Sequence, residues 1–459
     1  MVSDSKTTTR LAKAGLRLPV TRRRLLKTGG ALAAASTALS MPYVFSRASA
    51  ADPLVFWEFY SGGGNEAQAQ WFNDMVDAWN AQSDTKIQLN YIPGSSEEYY
   101  NKLSTAFAGG QGPDLFLLSP SDFLRYANGD ILVDLTPVLT EDVVADLYPD
   151  VMTTRKVNDK IYAIPMEVEP MAMFYDVKAF DDAGLTEADI PQTYDQLVDV
   201  AKKLTTKDRY GVLFETKPGG YQVFTWYPFL WSGGGDITTQ DGKHSAFNTQ
   251  GTVEALQLWK DLVDQGAAPR EILGGGGFDI GANLGAGYCA IQNIGIWGIA
   301  GMKADAPDID FGIFKCPAPT GGTPVSVAGG WAFVASTKGK NPDVAAQFIA
   351  WALASTEADS IQRMLDWCTV AKADMPPRKS VLAKANENGT YAEGPLKTFA
   401  DEILPISRGE PRTPPEVWQV ITDAIQACQL NGEDPGQVAK ETSDKIDQFL
   451  ATYQGARIL

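Results

Sequence analysis

The chain has 459 residues, with 39 Lys and Arg against 56 Asp and Glu, a formal charge of −17, and a single histidine. At ~150 residues per domain this length suits two or three domains with a substantial core, and the acidic balance argues against nucleic acid, whose phosphates demand clustered Lys and Arg. The lone His244 excludes a multi-histidine metal site or a two-histidine relay, and no cofactor or metal is expected; 11 Trp, 16 Tyr and 20 Phe make aromatic surface the abundant resource.

Charge is unevenly distributed. Nine basic residues (Lys6, Arg10, Lys13, Arg17, Arg22, Arg23, Arg24, Lys27, Arg47) and one acid, Asp4, fall within 1–50. The remaining 409 positions therefore carry 30 − 55 = −25. The basic stretch runs into the mildly apolar segment 31–45 and then Ala48-Ser49-Ala50, the order of a secretory signal peptide cleaved near Ala50/Ala51. Thr21-Arg22-Arg23-Arg24-Leu25-Leu26-Lys27 resembles the twin-arginine export signal, with a general secretory signal as the alternative. Position 51 is Ala, not the Cys of a lipoprotein, and no later segment reaches the ~18 uninterrupted apolar residues of a membrane span. The expected mature protein is soluble, periplasmic, monomeric and not anchored to the membrane. Cys289, Cys316, Cys368 and Cys428 either form two disulfides, with three possible pairings, or stay buried thiols.

In chain order, Leu54–Trp57 is a short apolar strand entering Ser61-Gly62-Gly63-Gly64 and a helix to about Ala81. Ile87, Leu89 and Tyr91 alternate as in a half-buried strand. A helix presenting Tyr100, Leu103 and Phe107 stops at Gly109-Gly110; 114–118 is a buried strand, with Ser121 as N-cap of the next helix. A second α/β unit begins near Ile161: a strand at 171–175, a helix at 177–183, and a capping box of Thr193 and Gln196 opening a helix to Lys203. Further on come a strand at 210–214, an amphipathic helix through Val253 and Val263 closed by Gly266, and a helix opened by Asn341-Pro342. Strands alternating with helices imply a largely parallel sheet covered on both faces.

Eight blocks then carry a family resemblance. They are Val55-Phe56-Trp57; Tyr100-Asn101-Lys102-Leu103 with Gly112-Pro113-Asp114; 128–136 (NGDILVDLT); Ile161-Tyr162-Ala163-Ile164-Pro165 with Phe174-Tyr175-Asp176; Ile190-Pro191-Gln192-Thr193-Tyr194; Ala290-Ile291 with Gly295-Ile296-Trp297; Gly329-Gly330-Trp331; and Pro376-Pro377-Arg378-Lys379-Ser380. In this order they resemble the extracellular solute-binding proteins of bacterial ABC importers, the large family that includes the maltose-binding protein. Asp176 departs from the family's usual Tyr-Asn. The resemblance implies an α/β fold of two lobes, each a central sheet flanked by helices, joined by three crossovers near 165, 327 and 371, with ligand in the cleft between them. The lobes would be 51–165 plus 328–371 and 166–327 plus 372–459. It implies hinge closure on a carbohydrate and delivery to permease subunits, without catalysis.

A sugar needs flat rings for its C–H faces and carboxylates or amides for its hydroxyls. Trp71, Trp79, Trp259, Trp351 and Trp418 lie in helical patterns and read as core. Trp57, Trp226, Trp231, Trp297, Trp331 and Trp367 lie at strand ends or near glycine-rich turns, with Trp297 and Trp331 in the family's motif positions. The first cleft loop offers Glu58, Tyr60 and Ser61 beside Trp57; its glycines lack the Gly-Lys-Ser/Thr of a nucleotide loop. Asp114, Ser119, Asp122 and Gly330 complete the candidates at strand ends, with a structural cap as the competing reading of Asp114 and a helix first-turn acid of Asp122. Glu167 and Glu169 straddle the first crossover at i, i+2 and point the same way if extended. They read as hydroxyl acceptors, against solvated rim charges or the acid and nucleophile of a glycosidase. Arg378 stands at the third crossover and would hold the anion if the ligand were a glycerol phosphate or an acidic sugar; a polyol is the neutral variant.

Overall fold

A computed structural model describes residues 52–60 and 66–459; the export-signal segment and Ser61 lie outside the described residues. The first sheet is assembled from β1 (Leu54–Glu58), β2 (Ile87–Tyr91), β3 (Leu115–Leu118) and the hairpin-flanked β6 (Ile164–Pro165), where the hairpin is β4 (Lys156–Val157) and β5 (Lys160–Ile161). Its helices are α1 (Glu66–Gln82), α2 (Ser96–Ala108), α3 (Pro120–Asn128), α4 (Glu141–Asp146) and α5 (Pro149–Thr153). The second lobe takes β7 (Glu169–Asp176), α6 (Val177–Asp182), α7 (Tyr194–Leu204), β8 (Tyr210–Leu213), α8 (Gly220–Ser232), α9 (Gln250–Asp264), β9 (Cys289–Gly295), α10 (Gly298–Asp305), β10 (Phe311–Phe314) and β11 (Ser326–Gly329). The chain returns to the first sheet with β12 (Ala332–Ala335), followed by α11 (Pro342–Leu353), α12 (Ala358–Asp366) and α13 (Lys379–Glu387). It ends in the second lobe with α14 (Gly394–Thr398), β13 (Ser407–Gly409), α15 (Pro415–Gln429) and α16 (Pro435–Leu450).

Local signals set many of these bounds. Thr193 and Gln196 make the expected reciprocal capping box on α7, an arrangement that satisfies two N–H groups the helix would leave orphaned. Asn341 caps α11 ahead of its Pro342. Ser121 does not cap α3: that helix starts two residues earlier than such a cap implies, at Pro120, with Ser119 in the N-cap position, because proline is pre-organised for the first helical turn.

The first sheet runs β2-β1-β3-β12-β6, with β1 parallel to β2 and β3 and only β12 antiparallel to its neighbours. The second runs β13-β11-β7-β9-β8, with β10 also paired to β7. There the expectation of a largely parallel sheet fails: β7 is antiparallel to β9, β10 and β11. Strands that enter directly from the other lobe need no helical crossover, so nothing obliges them to run parallel. A further difference concerns the third crossover. Instead of joining the second lobe at 372, α13 packs against α12, and Arg378 fastens the stretch to Asp146 and to the carbonyls of Leu353 and Ser355.

Phe56, Phe72, Phe116, Phe333 and Phe348 fill the first core, with Phe56 edge-on to Phe333 at 4.8 Å. Phe174, Phe214, Trp226, Phe229 and Trp259 fill the second, where Phe214 stacks on Trp259 at 4.5 Å. All four cysteines are buried free thiols. No helix among the described residues is long and apolar enough to cross a membrane.

Candidate functional site

A cavity of about 1120 Å³ lies between the lobes. From the first lobe it is lined by Phe59 and Tyr60 after β1, Ser95 and Ser96 at the start of α2, Tyr100, and Ser119 and Ser121 after β3. The second lobe supplies Glu169, Lys217, Tyr221 and Phe224, the loop through Gly275 and Phe278, Trp297, Asp305 and Glu410. Gly330, Trp331 and Lys372 come from the crossovers.

Two aromatic platforms face this space. Trp331 stacks on Tyr100 with centroids 5.5 Å apart and meets Phe59 edge-on at 4.6 Å. Its carrier, Gly330, has φ +124°, and a Cβ there would sit 2.5 Å from the Glu167 carbonyl oxygen; only glycine lets the crossover turn the ring into the cleft. Trp297 opens α10 and lies 6.5 Å from Phe224 and 6.3 Å from Tyr221. Both indoles are half-buried and line the cavity. Tyr100 donates to Ser119 Oγ at 2.6 Å, and Ser119 and Ser121 share a hydrogen bond of 2.8 Å.

Beneath the platforms one ammonium meets three carboxylates. Lys372 Nζ lies 3.0 Å from Glu167 and 3.2 Å from Asp374, and it also donates to Glu169. Tyr60 Oη stands 3.2 Å from the same nitrogen. Burial alone would lower the lysine's pKa, but Asp374, Glu167 and Glu169 outweigh it and hold the group well above its ordinary value. Among the carboxyls, burial and the neighbouring charge of Glu167 push Glu169 up to about 7, against the pull of Lys372. Burial lifts Asp374 well above the carboxylate range. Glu410 is pushed up to about 8 by burial, Arg155 opposing; Arg155, lowered by burial to about 10, donates to the Gly330 carbonyl at 2.9 Å. Oxygens of Glu167, Glu169 and Asp374 converge within 4.8 Å, a donor set a cation would suit; the Lys372 ammonium is the cation they share.

Of the residues singled out in the sequence, Tyr60, Ser119, Glu169, Trp297, Gly330 and Trp331 line the cavity. Glu167 lies one layer behind, fully buried, accepting from Trp367 Nε1 at 2.6 Å and Tyr60 Oη at 3.3 Å. Glu58 is buried and accepts from its own loop at Tyr60 N, 2.6 Å away. Trp57, on the alternate face of β1, lies off the cavity with Lys102 over its ring. Asp114 accepts from the backbone of Val55 and Lys340, the structural cap. Asp122 pairs with Arg125 at 2.8 Å, and burial pushes it up to about 6. Trp226 is wholly buried against Phe247, and Trp231 stacks on Tyr227, so both pack the core side of α8. Arg378 is 1% exposed and bound to Asp146, away from the cleft.

Sequence reasoning missed Tyr221, Phe224, Phe278, Lys217, Lys372 and Glu410, and it read Tyr100 only as a helix-packing residue. Tyr221 and Phe224 lie on α8, a helix the sequence reading did not assign between the strand at 210–214 and the helix through Val253. Lys372 had a findable signal: a cation on the third crossover, facing an i, i+2 pair of glutamates on the first.

Comparison with known proteins identifies the family of the fold. The model of the bacterial extracellular solute-binding protein family matches residues 63–359. The arabinooligosaccharide-binding protein of Bacillus subtilis is 26% identical over 369 residues, covering 77% of this chain and 82% of its own. An ABC transporter solute-binding protein of Thermotoga lettingae bound with α-D-tagatose superposes with a TM-score of 0.73 at 22% identity, covering 87% of this chain and 99% of its own. A Mycobacterium tuberculosis binding protein in complex with glycerophosphocholine reaches 0.72 at 19% identity, with 87% and 98% coverage. The two-lobed α/β fold is that of these neighbours, and the chain belongs to the bacterial extracellular solute-binding protein family.

Proposed function

We propose that the chain is the periplasmic capture component of an ABC carbohydrate importer, exported by a twin-arginine signal removed near Ala50/Ala51. It acts as a monomer, closes its lobes on a sugar and delivers it to permease subunits, with no catalytic step. The observation carrying this reading is the pair of half-buried tryptophans, Trp331 with the first lobe's rings and Trp297 with the second's, on either side of one cavity rimmed by serines and carboxylates. Such platforms suit the C–H faces of pyranose rings. The ~1120 Å³ volume, just above the ~300–1,000 Å³ of small-molecule sites, favours an oligosaccharide over a monosaccharide. The sugar names borne by relatives support the same class.

The rival ligand, a glycerol phosphate or an acidic sugar, draws on the glycerophosphocholine-bound neighbour. It loses its anchor with Arg378 committed to Asp146. Lys372 offers little in its place, since its charge is already met by three carboxylates. A glycosidase role for Glu167 and Glu169 conflicts with Glu167 being fully buried and both converging on that one lysine.

A thermal-shift panel of maltotriose, arabino- and galacto-oligosaccharides, tagatose, xylitol, glycerophosphocholine and a uronate tests this, because a ligand that binds only the native state raises the midpoint. At least one neutral saccharide should raise it. A response to glycerophosphocholine or the uronate alone would overturn the carbohydrate reading.

A further inference from the structure

The lobes also meet directly, outside the crossovers. Glu97 of α2, in the first lobe, accepts a hydrogen bond from the backbone N–H of Tyr221 in the first turn of α8, in the second lobe, at 3.0 Å. α8 has no side-chain cap of its own: its N-cap residue is Gly219, whose N–H goes instead to Thr422 Oγ1 at 3.0 Å. A carboxylate at a helix N-terminus is favoured both by the orphan N–H groups and by the helix dipole. Here the cap is supplied by the opposite lobe.

Three features mark Glu97 as placed for this contact. Its own helix is already capped by the reciprocal Ser95–Glu98 box, so Glu97 is free to serve another. Ser96 Oγ donates to its second oxygen at 3.1 Å, fixing the carboxylate. Gly219, at φ +149°, leaves the space it uses: a Cβ there would lie 2.7 Å from Glu97 Cγ. The facing side of the second lobe carries Glu215 and Lys217. Glu215 already accepts from the N–H groups of Thr216, Lys217 and Gly277, and Lys217 donates to the Gly275 carbonyl. Glu97 lines a recess of about 100 Å³ beside the main cavity and not the cavity itself.

We propose that Glu97 is a positioning residue that latches the lobes shut without touching the ligand, and so scales affinity for every ligand alike. The inference rests on the capture reading, since apparent affinity falls with the fraction of molecules in the binding-competent state. A hydrogen bond to a charged group is strong enough for its loss to shift the open–closed balance about tenfold.

The test needs no ligand. Because the four native cysteines are buried, spin labels attach selectively at Thr105→Cys on α2 and Lys202→Cys on α7, both exposed. The distance between them is then read in ligand-free protein. The parent should populate a short-distance state that Glu97→Ala depletes about tenfold and Glu97→Gln, which keeps a neutral acceptor, depletes less. Unchanged thermal midpoints would show that the fold is intact. Superimposable distance distributions for the parent and both variants would overturn the latch. Because no sugar enters the measurement, failure of the carbohydrate assignment shows separately, in the ligand panel.

Discussion

Lys372 and Arg378 stand six residues apart in the chain, both buried, both long cations, and they do opposite things. Arg378 spreads its guanidinium over Asp146 at 2.7 Å and the carbonyls of Leu353 and Ser355, each at 2.9 Å. Every contact lies on first-lobe elements, and the charge is matched one to one. Lys372 faces three carboxylates and a tyrosine hydroxyl at the floor of the cavity, with the Trp297 ring 6.0 Å away. A fork of planar donors suits bolting backbone together; a compact ammonium suits a crowded acidic cluster. Burial alone therefore does not mark a site. What marks it is charge left over: three acids to one base, with one of the acids, Glu169, also lining the cavity.

Removing each cation should separate the two roles. Lys372→Met strands buried carboxyls and should cost about 3–5 kcal/mol of stability. The sign of its pH dependence follows from the carboxyls. Glu169 and Asp374 have folded pKa values raised above their unfolded ones, so the folded state favours their protonated forms. Stability is therefore present at low pH and lost as pH rises from the ordinary carboxylate range through about 7 for Glu169. Loss of the lysine should steepen that decline. Urea unfolding at pH 5 and pH 7.5 checks it; an equal loss at both would mean that the cluster does not titrate as described. Saccharide affinity should fall as well, because Tyr60 and Glu169 lose their common partner. Arg378→Ala should cost about 3 kcal/mol at neutral pH while leaving the affinity of the remaining folded protein unchanged. An affinity loss there would restore Arg378 to the site.

This pair also shows how far the sequence reaches. Fold class, most element positions and the caps of α7 and α11 were legible because capping and periodicity are local. Trp297 and Trp331 were legible because glycine turns and motif positions flag them. Arg378 was misassigned because a motif position names a residue without saying which way it points, and its direction depends on Asp146, 232 positions away. Trp226 and Trp231 were placed at strand ends or near glycine-rich turns, but both lie inside α8, and a helix apolar all round carries no polar face to tell core from cleft. The antiparallel pairing of β7 was hidden too, since strand direction is set by how the chain re-enters the lobe.

The platforms offer a finer contrast. Trp331 is braced by Phe59, Tyr99 and Tyr100 within 4.6–6.0 Å, whereas Trp297 has Phe224 and Tyr221 at 6.3–6.5 Å. A braced ring loses little freedom on binding, so Trp331→Ala should weaken saccharide binding more, by about 2–3 kcal/mol, and Trp297→Ala by about 1–2 kcal/mol. Calorimetry on both variants tests the order. Unchanged affinity in both would remove the aromatic basis of the proposed function.

A last contrast concerns a carboxyl that forms no ion pair with the lysine. Glu410 lines the same cavity but answers to Arg155, and burial pushes it up to about 8. Being raised, its contribution favours the fold below its unfolded pKa and disappears as pH climbs through about 8. Glu410→Gln keeps the shape and removes the titration. The variant should come close to the parent at pH 5 and exceed it at pH 8.5, read from paired denaturation curves. If instead the variant were weaker at high pH, the ionised glutamate would be a net stabiliser through Arg155. The acidic excess around the cleft would then be compensated charge throughout, and Lys372 would lose its distinction as the crowded cation.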